Sequence, residues 1–192
     1  MNALMIIGLV IAGIIVLIAA IGIVTGVLFC GDVMSYTDTG SQTLSPSGAF
    51  AGNALVVYNP GLSGAAKSAA REIADDLQAK GYTVTLGGIK SQAAANTSGY
   101  DVVIAGGPLY FGRVSNSVDS YLKALKPQKN VAVGVFGTTG SPQFHDEDIA
   151  TFGEQVTTDL GGITLDKKAA TKTIRSGDAA NTDCSDLISA MV

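Results

Sequence analysis

"ALVVYNPGLSGAAKSAAREIADDLQAKGYTV", residues 54–84, contains two periodicities separated by a break. Ala54–Tyr58 is a short, continuous apolar run that reads as a strand buried on both faces. Asn59-Pro60-Gly61 interrupts it, since proline has no N–H to give to a ladder and glycine permits a tight turn. From Ala65 the sequence turns alanine-rich and amphipathic, which predicts a helix to Lys80, stopped by Gly81. Tyr82–Leu86 then reads as a second strand.

The same alternation continues downstream. Ser91–Asn96 reads as a short helical turn, Asp101–Ala105 ("DVVIA") as a strand, and Val114–Leu125 as a helix ending before Pro127. Val131–Phe136 ("VAVGVF") is a strand, and Asp146–Leu160 a helix stopped by Gly161-Gly162. Either Ile163–Leu165 or Lys172–Ile174 supplies a fifth strand, and Asp183–Met191 a short final helix. Strands alternating with helices imply βαβ units, hence a doubly wound, three-layer α/β/α domain over residues 54–192.

Two segments precede it. From Ala3 to Phe29 there is no charged residue. As a helix at ~1.5 Å per residue this stretch reaches about 40 Å, beyond a hydrocarbon core of ~30 Å, so residues 1–30 are expected to form one transmembrane anchor. A cleaved signal peptide is the competing reading, but no Lys or Arg precedes the segment and it exceeds the usual apolar region of ~7–15 residues. Phe29 is too bulky for the small residue that lipoprotein processing expects before a cysteine such as Cys30. Gly22 and Gly26 form a GxxxG through which two helices could approach and self-associate. Residues 31–53, rich in Ser, Thr and Gly, read as a flexible linker. No Lys or Arg occurs before Lys67, so charge does not orient the span.

The net charge of −4 and the lack of a basic cluster argue against nucleic acid as a partner. Cys30 and Cys184 make neither a metal set nor a disulfide framework. Asn96-Thr97-Ser98 is a glycosylation sequon that matters only on an exterior domain.

In an open parallel sheet, ligands bind beyond the carboxyl ends of the strands at the topological switch point, which selects three loops. The first, Asn59–Ala66, leads into a helix whose N–H groups and dipole suit an anion. It is neither a Walker loop nor a GxGxxG, since Lys67 does not occupy the Walker position. The second, Gly106–Arg113, places Tyr110-Phe111 at the rim, where a planar ring could stack. The third, Gly137–Asp146, carries Thr138, Thr139 and the only histidine, His145, ahead of three acids; an acid-rich helix N-terminus is the better reading than a metal site.

Residues 54–84, "YDVVIAGGPLYFGRVSNSVDSYLKAL" (100–125) and "NVAVGVFGTTG" (130–140) resemble the flavodoxin family in order, spacing and local sequence. The likeness runs over residues 54–160 and is most specific in Y-D-x-x-I-x-G-x-P-x-Y-x-G. It implies a five-stranded parallel sheet in the order 2-1-3-4-5 with FMN at the switch point. On that resemblance Gly61, Leu62, Ser63, Gly64, Ala65 and Ala66 surround the phosphate; Gly107, Pro108, Leu109, Tyr110 and Gly112 line the ring, with Tyr110 stacking; Gly137, Thr138 and Thr139 complete the site. The family's first loop usually reads T-G-N-T. Here Ser63 stands on the first threonine, Ala65 on the asparagine and Ala66 on the second threonine. Two donors become methyl groups; at ~1.5–3 kcal/mol per hydrogen bond to a charged group, that weakens FMN binding by orders of magnitude.

The expected function is a membrane-anchored flavodoxin-like protein that binds FMN and exchanges electrons with a membrane-embedded redox or multi-subunit partner. Its domain is placed on the cytoplasmic side, and no residue is assigned as catalytic acid, base or metal ligand. The alternative is a cofactor-free fold serving as an accessory or assembly subunit of a membrane complex, which Ala65 and Ala66 favour.

Overall fold

The computed structural model describes residues 3–35, 38–126, 131–140, 145–161, 170–175 and 183–192. Along the chain these form α1 (Ala3–Ser35), β1 (Ser41–Leu44), β2 (Gly52–Tyr58), α2 (Ala65–Ala79), β3 (Tyr82–Gly88), β4 (Val102–Tyr110), β5 (Arg113–Val114), α3 (Asn116–Ala124), β6 (Ala132–Thr139), α4 (Asp146–Asp159), β7 (Ala170–Arg175) and α5 (Ser185–Ser189).

Five parallel strands stand in the order β3-β2-β4-β6-β7, the 2-1-3-4-5 arrangement expected. Every side chain of β6 is buried, and β2 and β4 are nearly so, as strands covered on both faces require. One face packs Val56, Val84 and Ile104 against α2 and α5, through Ile73, Leu77, Leu187 and Ile188. The other packs Leu55, Val103, Val133 and Val135 against α3 and α4, through Val118, Leu122, Phe152 and Val156. The candidate fifth strand Lys172–Ile174 lies inside β7, while Ile163–Leu165 falls outside the described residues.

The sequence reading needs correction at two places, the linker and the start of the third helix. Residues 31–53 are not a long tether: α1 continues to Ser35, and Ser41–Leu44 adds an antiparallel edge strand to β3, Ser41 opposite Gly87 and Leu44 opposite Val84. Gly88 admits this strand, because a Cβ there would collide with the Asp38 carbonyl. Asp38 is fixed twice, its carboxylate accepting from the Tyr58 hydroxyl at 3.0 Å and its carbonyl from the Lys90 N–H at 3.0 Å. Burial, then that hydrogen bond, push the Tyr58 phenol up to about 12, so it stays a donor across physiological pH. Ser91–Asn96, expected as a short helical turn, is a run of turns, with Ser91 Oγ accepting from the Ala94 N–H at 3.2 Å. The third helix starts at Asn116 instead of Val114, because Arg113–Val114 turns back to pair with the end of β4.

α1 is 33 residues long and its stretch Met5–Cys30 has a mean hydropathy of 3.1 with none of its most apolar window buried. By length and composition it is apolar enough to cross a membrane.

Between α3 and α4, Lys123 Nζ lies 2.8 Å from Asp119 Oδ2 and 3.6 Å from Asp159 Oδ1. Burial, then the Asp119 charge, raise the Asp159 carboxyl from 3.8 to about 6. The folded chain therefore holds this proton more tightly than the unfolded chain, and stability falls as pH rises from 3.8 to about 6, then levels off. Asp159→Asn is expected to raise the urea midpoint at pH 7 and to leave it unchanged below pH 3.8; an equal gain at both pH values refutes that origin.

Candidate cofactor site at the carboxyl end of the sheet

β2 ends at Tyr58, and the next residue, Asn59, has no exposed surface. Its side-chain amide donates to Ser115 Oγ at 2.9 Å and Ser117 Oγ at 2.7 Å, and its carbonyl oxygen accepts from the Gly61 N–H at 3.0 Å. Its own N–H donates to the Gly106 carbonyl at 2.9 Å. One side chain thereby ties the first loop to the start of α3. Reading by motif passed over Asn59; the available signal was an asparagine between a buried strand and Pro60, with Ser115 and Ser117 at the next helix start.

Beyond Asn59 the chain turns at Gly61 (φ 64) and again at Gly64 (φ 74), a left-handed residue that caps α2 without a side-chain bond. Ser63 Oγ accepts from the Ala65 N–H at 3.3 Å and keeps its own proton to give. Among the described residues no partner takes the N–H of Leu62, Ser63, Gly64 or Ala66. These donors sit where the α2 dipole presents its positive end, with Lys67 in the first turn. The Ala66 methyl, 1% exposed, belongs to the core under α2, so only its backbone is on offer to a ligand. A hydroxyl at that position would meet the core rather than a phosphate.

The second loop is a hairpin. Leu109 pairs with Val114 and Tyr110 with Arg113, leaving a two-residue turn, Phe111 (φ 53) and Gly112 (φ 76). Positive φ at both central positions is the type I′ turn that matches strand twist, and it is costly for an aromatic residue. Gly107 and Pro108 are therefore strand residues, and Pro108 would touch a Cβ on Gly61 at 3.1 Å, which brings the first two loops together. Gly107 faces Val118 and Asn59, and Gly137 lies under the Leu109 side chain, where a Cβ would approach within 2.6 Å. Both glycines thus serve packing within the protein. Gly112 rests on Asp148 at the head of α4.

Thr138 and Thr139 do not lie in an open loop. β6 extends through Thr139, both are buried, and Thr138 stands beside Pro108 in register. The remaining expected loop residues 141–144 lie outside the described residues; α4 begins at Asp146 as expected, with the His145 N–H donating to Asp148 Oδ2 at 3.0 Å. The ring of Tyr110 is met edge-on by Phe29 of α1, centroids 5.0 Å apart.

A sheet of this kind, with helices on both faces, occurs in solved structures. The fold is flavodoxin-like. Similar structures include a short-chain flavodoxin associated with a non-canonical PDU bacterial microcompartment, at TM-score 0.56 and 16% identity over 73% of this chain and 97% of that chain. An NADH:FMN oxidoreductase in its apo form matches at TM-score 0.54 and 13% identity, covering 72% and 83% of the two chains. A flavodoxin of Streptococcus pneumonia TIGR4 matches at 0.50 and 18%, covering 68% and 89%. No protein-family model and no curated protein matches the sequence. The flavodoxin-like domain here differs from the expected five strands by its antiparallel edge strand β1 and the two-residue β5 that pairs with the end of β4.

A further cavity of about 520 Å³ lies between α2 and β1, bordered by Asp38, Tyr58, Lys67 and Arg71.

Asn59→Ala would leave the Gly61 N–H and two buried serine hydroxyls without their amide, a loss of ~2–3 kcal/mol. Urea unfolding of the full chain in detergent checks this; a change under ~0.5 kcal/mol, the scale of an ordinary surface substitution, would show the network to be dispensable.

Proposed function

We propose that the protein is a membrane-anchored electron carrier whose flavodoxin-like domain binds FMN at the carboxyl end of the sheet. The observation that supports this most is the set of unpartnered N–H groups at Leu62, Ser63, Gly64 and Ala66, at the head of α2 and beside the hairpin that carries Tyr110. Donors fixed by backbone geometry suit a phosphate, so the residues present fit this cofactor despite the alanines. Bound FMN supplies electron transfer at its isoalloxazine ring. The chain's part is binding and positioning. Loop amides and the Ser63 hydroxyl would hold the phosphate, Asn59 keeps the two loops in register, and Tyr110 would cover the ring.

α1 is read as the anchor, with Gly22 and Gly26 offering a close-packing face to a second copy or to a partner helix; a Cβ on either would meet open space. Anchoring raises the effective concentration beside a membrane-embedded redox partner. The cytoplasmic side is assigned by analogy with where flavodoxins obtain FMN.

The contact of Phe29 with Tyr110 favours a second reading, in which the aromatic site is filled by the chain itself and the domain acts as a cofactor-free accessory or assembly subunit of a membrane complex. Titrating the full chain in detergent with FMN separates the two. Fluorescence quenching with Kd below ~100 µM is expected, riboflavin binding at least about tenfold more weakly for want of the phosphate. Tyr110→Ala is expected to cost ~1 kcal/mol, about fivefold in affinity. No saturable quenching would sink the carrier reading and leave the accessory one; unchanged affinity in Tyr110→Ala would remove that ring from the site.

A further inference from the structure

Granting the reading of α1 as a membrane span, we propose that the carboxyl-end rim of the sheet, with Phe111 at its tip, rests in the interfacial layer of the same bilayer, so that the mouth of the candidate flavin site opens at the lipid surface. The inference rests first on Phe29. It belongs to the apolar stretch Met5–Cys30, one residue from its end, and packs against Tyr110 and Phe111 with ring centroids 5.0 and 6.5 Å away. Residues in contact with the last turn of a span stand at the depth where interfacial aromatic side chains collect.

The second support is the short connection. Two residues, 36 and 37, separate Ser35 at the end of α1 from Asp38, and Asp38 is hydrogen-bonded to Tyr58 and Lys90 at the carboxyl end of the sheet. At ~3.6 Å per extended residue, the domain cannot swing this end far from the membrane. Third, Phe111 is 88% exposed in a left-handed conformation that disfavours bulky residues, while Leu62 on the first loop and Ile149 in the first turn of α4 are exposed at the same end. A large apolar ring held outward gains more from an interfacial layer than from bulk water. Asp146, Glu147 and Asp148 share the first turn of α4, so the attraction is apolar and zwitterionic lipid suits the rim better than anionic lipid.

The chain has no tryptophan, so single reporters are unambiguous. Full-length Phe111→Trp and Leu17→Trp are reconstituted separately in phosphatidylcholine vesicles whose lipids carry bromine either just below the headgroup or near the chain end. The proposal expects Phe111→Trp emission to fall severalfold with the shallow bromines and little with the deep ones, and Leu17→Trp to show the opposite order. Quenching of Leu17→Trp alone overturns the proposal and leaves the anchor standing. Failure of Leu17→Trp to quench overturns the anchor and the proposal with it. Should Phe111→Trp lose the circular dichroism of the parent, Ile149→Trp decides by the same shallow quenching.

Discussion

Asn59 is the buried amide on which the site end of the molecule is organised. A side-chain amide removed from water loses several kcal/mol unless its donors and acceptor are all matched. Here they are, by two serine hydroxyls and the Gly61 N–H. Because those partners come from the first loop and the start of α3, satisfying the amide fixes the two pieces of chain relative to one another. The close approach of Gly61 to Pro108 and of Gly107 to Asn59 follows, and so does the direction in which the Tyr110 hairpin leaves the sheet. The first loop, with its open N–H groups, is thus held in shape by bonds within the protein.

The strand-helix alternation was legible because it depends on local periodicity. Apolar runs at Ala54–Tyr58 and Val131–Phe136, and amphipathic spacing from Ala65 and from Asp146, each announce their own structure. What escaped depended on distant partners. Nothing local marks "SQTL" as a strand; Ser41–Leu44 becomes one because β3 offers an open edge and Gly88 leaves room for Asp38. Val114 was read as the start of a helix, yet the Phe111-Gly112 turn sends Arg113–Val114 back along β4. The site was legible in its position, at the switch point, more than in its residues. Ala66 was matched to a ligand hydroxyl by alignment of letters, whereas its side chain faces the core; Thr138 and Thr139 looked like loop residues and are buried strand.

Glycine content misleads in the same way. The runs around Gly107 and Gly137 suggest backbone bared for a cofactor, but each glycine is required by a neighbour inside the fold, Val118 and Leu109 respectively. Gly64 is the contrasting case: a Cβ there would meet nothing within 4 Å, and its left-handed conformation opens the N-terminus of α2.

The edge strand β1 has a practical implication for handling the molecule. Cutting the chain at residue 54, where the apolar periodicity begins, would remove Ser41–Leu44 together with the first two residues of β2 and leave the N–H and C=O groups of β3 bare along a parallel sheet. Such an edge recruits the same edge of another molecule. A fragment that begins at Asp38 keeps its own guard strand, whereas one cut at residue 54 carries an open edge for reasons unrelated to the missing apolar helix.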